Sequence, residues 1–231
     1  MADDFSRNGF EVVENKIRLD PIELEHISTL INKSKNENFG IDTVLKIISW
    51  DHSEISHNIL KKITTVTSKV TAIDEETLTN NFSKDVYYTE QTKESENRNQ
   101  YPHFDWIPKI KAFLYLSDNS GNNRGSIYLA KKSHKSFYMK IINFMRYFIT
   151  PGYNYKSPPF FFKRFVKSLS FTEVKGNKFS LVIFDTDTIH HSGIVELDNF
   201  TRIVLRFDFY KNNKHRKRLF PVTKYIKKLF K

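Results

Sequence analysis

His103 and Asp105 stand two residues apart in Tyr101-Pro-His103-Phe-Asp105, just ahead of a run that alternates apolar and polar residues. In extended backbone the side chains repeat with period two, so this imidazole and this carboxylate share one side. Together they offer two ligands for a divalent metal. The third is expected from far down the chain, at His190 in Phe184-Asp-Thr-Asp-Thr-Ile-His190-His-Ser-Gly193. Two histidines and one carboxylate on one face of an octahedral ion leave positions open, the arrangement suited to non-heme Fe(II) oxygen chemistry. A lone His-x-Asp is a weak signal, and the chain also holds His52-Ser-Glu54. That second pair falls at the start of an expected helix, where neighbours two apart diverge.

An Fe(II) site of this kind needs an electron-rich cosubstrate chelated at the metal, and 2-oxoglutarate carries a second, distant carboxylate. Arg202 follows His190 by twelve residues. A planar guanidinium can give a carboxylate two parallel charge-assisted bonds, and the hydroxyl of Ser192 adds a third donor. Lys111, Phe113 and Tyr115 alternate on the strand after Asp105, so Lys111 or Tyr115 can face the same lumen and help hold the cosubstrate.

These side chains need a scaffold. Asp20-Pro21 reads as an N-cap and first-turn proline of a helix running to about Asn32. A second helix is expected over 53–70, with Ile55, Ile59, Leu60, Ile63 and Val66 on one side. Strands are expected at 10–13, 85–91, 109–117, 126–130, 179–184, 189–195 and 201–210. Asn119-Ser-Gly-Asn-Asn-Arg-Gly125 supplies strong turn chemistry between two of them. Residues 135–150 read as a helix stopped by Pro151-Gly152, and another basic, aromatic piece starts near Ser157. In the last strand Arg202, Val204, Arg206 and Asp208 face one way, and Ile203, Leu205, Phe207 and Phe209 the other. Helices followed by mostly antiparallel strands predict an α+β fold: a double-stranded β-helix, jelly-roll and cupin-like, backed by the N-terminal helices.

With 231 residues the chain fits one domain with appendages and can bury a real core. The expected organisation is a domain over 1–212 with an insertion or lid over 131–170, then a basic amphipathic tail over 213–231. Cysteine is absent, which removes disulfides and thiolate ligands. The net charge of +11 is concentrated: 131–167 and 211–231 each hold nine basic residues and no acid, so the rest of the chain is net acidic. Such clusters attract an anionic substrate, an anionic membrane surface or a polyanion. No long apolar run or secretory leader is visible, so the expected location is cytoplasmic, with peripheral contact at the inner membrane surface.

The chain resembles the phytanoyl-CoA dioxygenase family of Fe(II)/2-oxoglutarate-dependent oxygenases. The matching pieces are Asn8-Gly-Phe-Glu-Val-Val13, His103-Phe-Asp105, Lys111-Ala-Phe-Leu-Tyr-Leu-Ser-Asp118, Asn123-Arg-Gly-Ser126, Ser133-His-Lys135, His190-His-Ser-Gly193 and Arg202. Their order and spacing agree over roughly residues 5 to 210. The resemblance implies iron on His103, Asp105 and His190, and the 2-oxoglutarate carboxylate on Arg202 with Ser192. It departs at Lys131-Lys132, where Pro-Gly is usual, and in a histidine-to-arginine gap about one residue longer than usual. The second departure makes His191 a rival ligand; His190 is preferred because the pattern His-x-Ser then ends on Ser192. Because Asp105 is retained, the resemblance implies hydroxylation rather than halogenation, with succinate and carbon dioxide released. His134 belongs to the matching turn and reads as structural. His26, His52, His57 and His215 read as ordinary surface or helix histidines.

The expected substrate is a small molecule, a lipid-linked compound or a sugar, with an anionic character suggested by the charge. The competing expectations are a catalytically inactive jelly-roll binding module and a basic protein that binds nucleic acid or a membrane surface. Charge and aromatics alone support the nucleic-acid version, and it ranks last.

Overall fold

The computed structural model describes residues 2–36, 45–48, 50–95, 101–105, 107–145 and 160–211. Local chemistry starts the two main helices. Asp20 Oδ1 accepts from the Glu23 amide and Glu23 Oε2 accepts from the Asp20 amide, both at 2.9 Å. This reciprocal box opens α2 (Pro21–Asn36) after α1 (Ala2–Asn8) and β1 (Phe10–Val13). Ser53 caps α3 (Glu54–Thr71) by accepting from the Ser56 amide at 3.2 Å. His52-Ser-Glu54 is thereby a helix start, as its sequence suggested. After β2 (Leu45–Ile48) and α4 (Glu75–Asn80) come β3 (Phe82–Gln91), β4 (Lys109–Tyr115) and β5 (Ile127–Ala130). A single 3-10 turn over Ser133–Lys135 leads into α5 (Phe137–Met145). The described chain ends through α6 (Phe160–Lys167), β6 (Phe171–Val174), β7 (Leu181–Asp185), β8 (His190–Ser192) and β9 (Arg202–Tyr210).

Two antiparallel sheets face each other. The larger has the order β1-β7-β4-β9-β3-β2 and the smaller β6-β5-β8. Period-two alternation divides β4 and β9 between two environments, as expected. Ile110, Ala112, Leu114, Leu205, Phe207 and Phe209 pack on Ile27, Leu30, Ile59 and Ile63 of the helices. Burying an aromatic such as Phe207 or Phe209 contributes about 1.5–3 kcal/mol. On the other side Tyr115, Val182, Phe184 and Val204 meet Ile127, Leu129 and Val174 of the smaller sheet. The lumen between the sheets is where Lys111, Arg202, Arg206 and Asp208 arrive. This is the helix-backed jelly roll that the pattern predicted.

Several boundaries differ. The helix expected over 135–150 begins at Phe137, because Ser133–Lys135 close a tighter turn first; the Pro151-Gly152 stop lies outside the described residues. The strand expected at 189–195 is regular only over His190–Ser192, with Val195 making an isolated bridge to Arg124. The segments α1, β2, α4 and β6 had no sequence assignment; each is too short for a period to declare itself. The 213–231 tail lies outside the described residues, as does the middle of the 131–170 insertion.

Candidate metal centre

The sequence predicted the head of a strand for His103 and Asp105; the structure has instead a short piece joined by one bridge to β8. His103 donates its amide to the His190 carbonyl at 2.9 Å, and His190 returns the bond at 2.8 Å. Cross-strand partners present their side chains on the same face, and the two rings lie with centroids 4.4 Å apart. Asp105 follows two residues on, its amide donating to Thr186 O at 3.2 Å. Phe104 between them points the other way, into a cluster with Ala130, Met139, Ile142, Phe165 and Ile189.

His190 is placed by contacts far from it in sequence. Gly9 sits at φ 86, and a Cβ there would lie 2.2 Å from Thr188 Oγ1 and 2.6 Å from His134 Nδ1. Only glycine lets the chain pass so close at that φ. Its carbonyl accepts the Asp185 amide at 2.9 Å, pinning the turn before His190. Ser133 Oγ accepts the Ile189 amide at 2.8 Å and donates to Ala130 O at 2.7 Å. The matching Asn-Gly and Ser-His-Lys pieces thus brace one ligand from two sides.

His103, Asp105 and His190 bring one ligand atom each to within 4.8 Å of one another, and they form the one such group among the described residues. Each histidine Nδ1 meets a backbone carbonyl at 2.8 Å: Tyr101 O for His103, Thr188 O for His190. A carbonyl can only accept, so Nδ1 carries the proton and Nε2 keeps its lone pair for a metal. His190 Nε2 is buried and has no hydrogen-bond partner. It lies 3.6 Å from Asp105 Oδ1. An orphaned imidazole nitrogen beside a second imidazole and a carboxylate fits a divalent ion. His191 turns away and stacks on Tyr128, with centroids 4.8 Å apart and an interplanar angle of 1°.

Charge supports the same donor set. Burial alone would raise the Asp105 carboxyl, but Lys111, then His190 and Arg206, hold it well below the ordinary carboxylate range. Burial pulls His103 down against the opposing charge of Asp105. His190 falls further, through burial and then through His103 and Lys111. Two neutral imidazoles and one carboxylate are what metal ligation requires. Lys111 Nζ lies 2.6 Å from Asp105 Oδ2, a contact the alternation on β4 only hinted at.

A second set gathers on Arg202, which is 3 % exposed. Its Nη1 donates to Gln91 Oε1 at 3.2 Å and to Ser192 Oγ at 3.3 Å. The guanidinium carbon lies 5.9 Å from the Tyr115 ring centroid, and Nε is buried without a hydrogen-bond partner. Gln91 had no assigned role in the sequence. Its Nε2 donates to Gly193 O at 3.1 Å, which turns Oε1 toward the guanidinium; its place at the buried end of an alternating strand was the available clue. Gly125, at φ 72, leaves room for the arginine: a Cβ there would lie 3.2 Å from Arg202 Cδ. No carboxylate pairs with Arg202 among the described residues. A buried cation with neutral partners and a spare donor fits an incoming anion.

The chain matches no family model, and no curated protein matches it in sequence. Solved structures do match in shape. The non-heme alpha ketoglutarate dependent carbocyclase SnoK from nogalamycin biosynthesis superposes with a TM-score of 0.63 at 9 % identity, covering 90 % of this chain and 82 % of SnoK. EctD from S. alaskensis, solved with 2-oxoglutarate and 5-hydroxyectoine, gives 0.60 at 12 % identity, covering 90 % and 74 %. HygX from Streptomyces hygroscopicus, solved with nickel and 2-oxoglutarate, gives 0.53 at 14 %, covering 89 % and 84 %. The chain shares their fold.

Proposed function

We propose that this protein is an Fe(II)- and 2-oxoglutarate-dependent oxygenase that hydroxylates a small-molecule, lipid-linked or sugar substrate. The observation that carries this is the pairing of two incomplete sites in one lumen. One is a His103-Asp105-His190 cradle with an orphaned Nε2, and the other is a buried Arg202 that no carboxylate neutralises. The ion and cosubstrate, when bound, supply dioxygen activation coupled to decarboxylation of 2-oxoglutarate to succinate and carbon dioxide. His103 and His190 would hold the ion through Nε2, their rings fixed by Tyr101 O and Thr188 O. Asp105 would hold it through a carboxylate already ionised. Arg202 and Ser192 would take the distant carboxylate of 2-oxoglutarate, with Gln91 orienting the guanidinium and Tyr115 closing that end.

The finer assignment, to the phytanoyl-CoA dioxygenase family, is supported by the residue pieces quoted above, several of which brace or form the two sites. The carbocyclase among the structural neighbours means that this fold also carries reactions other than hydroxylation; retention of Asp105 favours hydroxylation here. For partners, α5 supports a peripheral contact with an anionic bilayer. Phe137 is 73 % exposed, with Tyr138 and Ile141 beside it and exposed Lys135 and Lys140 flanking them. No described helix is long and apolar enough to cross a membrane. Flotation with phosphatidylglycerol vesicles should retain the protein at low salt, and failure to float rules that contact out.

The direct test is succinate formation from 2-oxoglutarate under oxygen, with and without Fe(II). Iron-dependent succinate in the wild type and none in Asp105→Ala is the expected result. Nucleic-acid binding without iron-dependent succinate would favour the competing reading.

A further inference from the structure

The lumen beside the metal ligands carries more positive charge than a metal-loaded site can neutralise. Lys109, Lys111 and Arg206 meet there, their side chains 12 %, 6 % and 15 % exposed. Asp208 is fully buried and already engaged: Arg206 Nε and Nη2 donate to its two oxygens at 2.6 Å each, and Lys109 Nζ at 2.7 Å. Asp185 and Asp187 are taken by Lys211. Lys111 faces Asp208 across the strand pair, but that carboxylate is shared by Arg206 and Lys109. The direct contact of Lys111 is with Asp105 Oδ2 at 2.6 Å, the Phe184 ring lying 5.9 Å away.

That arrangement balances only while the metal is absent. An ion on Asp105 shares one carboxylate with a buried ammonium, and a buried charge short of counter-charge is costly. The cosubstrate does not answer the need. Its chelating carboxylate and Asp105 together would only offset the two charges of the ion. Its distant carboxylate is assigned to Arg202, which sits by Tyr115, four residues along β4 from Lys111 and roughly 13 Å away at the strand rise.

We infer that the substrate carries an oxyanion (a carboxylate, phosphate or sulfate) and that Lys111, flanked by Arg206, receives it beside the metal. This rests on the proposed function and narrows the substrate class. Lys111 becomes a specificity-determining residue: it holds Asp105 in the empty protein and turns to the substrate once the ion takes the carboxylate.

Sulfate, a poor iron ligand, is a suitable probe. Calorimetric titration under nitrogen, at constant ionic strength set with chloride, would follow sulfate binding to protein loaded with Fe(II) and 2-oxoglutarate. Binding should weaken about tenfold or more in Lys111→Met and in metal-free wild type, and hold within about threefold in Lys111→Arg. Affinity for 2-oxoglutarate, measured in the same variants, should change little and certifies that they fold. Equal sulfate binding in wild type and Lys111→Met overturns the inference, as does absence of binding to the loaded wild type. A loss of 2-oxoglutarate affinity in Lys111→Met overturns it too, by placing the lysine at the cosubstrate. If Fe(II) and 2-oxoglutarate fail to bind the wild type, the oxygenase reading falls and takes this inference with it. If they bind and sulfate does not, this inference alone falls.

Discussion

The two ends of the lumen treat buried positive charge in opposite ways. Near the metal ligands every cation meets a carboxylate: Arg206 and Lys109 on Asp208, Lys111 on Asp105. At the other end Arg202 meets an amide oxygen, a hydroxyl and a phenol ring. The first arrangement, the Asp208 cluster, is satisfied before any ligand arrives, and removing its carboxylate would leave two buried cations uncompensated. The second leaves a guanidinium prepared for an anion that the protein does not supply. On the proposed function one arginine is structural and the other binds the cosubstrate, although both stand on the same face of β9.

The largest effect that would test this contrast is on stability. Asp208→Asn strips the counter-charge from Arg206 and Lys109 and should cost about 3–5 kcal/mol. For a chain of this size that lowers Tm by roughly 6–20 °C. A drop of a degree or two by differential scanning calorimetry would mean that water already screens the cluster. Arg202→Met should behave in the opposite manner. Its stability should stay within about 1 kcal/mol of wild type, while affinity for 2-oxoglutarate falls by about 2–5 kcal/mol, thirtyfold or more. If Arg202→Met unfolds the protein as readily as Asp208→Asn, the distinction between the two arginines is lost.

The pH response sharpens the comparison next. Asp208 is raised by burial but carried well below the usual range by Arg206 and Lys109. A carboxyl depressed in the folded state contributes stability above its unfolded pKa, about 3.9, and loses it as pH falls through the folded value. Wild type should therefore lose stability on acidification below about pH 4 more steeply than Asp208→Asn. Burial holds His190 and His103 below the ordinary imidazole value, so their neutral, metal-binding forms persist below about pH 6.5. Zinc affinity measured against pH should fall off below that value; a midpoint at or above it would contradict the burial argument. The smallest effect concerns the brace. Ser133→Ala leaves the Ile189 amide without its acceptor and should cost about 1–3 kcal/mol, read by urea unfolding.

The fold was legible wherever local chemistry and period agreed. Asp20 with Glu23, and Ser53 with Ser56, announce helices through caps that their own neighbours complete. The alternation in β9 separates a helix-packed face from a lumen face because the strand crosses the middle of the larger sheet. His103, Asp105, His190 and Arg202 could be singled out because their types and spacing suit one chemistry. The contacts that complete the two sites could not. Gln91 on Arg202 joins different strands, and Gly9 against Thr188 joins residues near opposite ends of the described chain. Such pairings depend on sheet order and register, which no local pattern records. The short elements α1, β2, α4 and β6 were missed for a related reason: neighbours decide their conformation more than their own propensities do.

The most direct measurement is visible absorption under nitrogen as Fe(II) and then 2-oxoglutarate are added. The proposed function predicts a weak charge-transfer band that needs both additions, is abolished in Asp105→Ala, and in Arg202→Met appears only at much higher 2-oxoglutarate. A folded wild-type protein that gives no such band would contradict it.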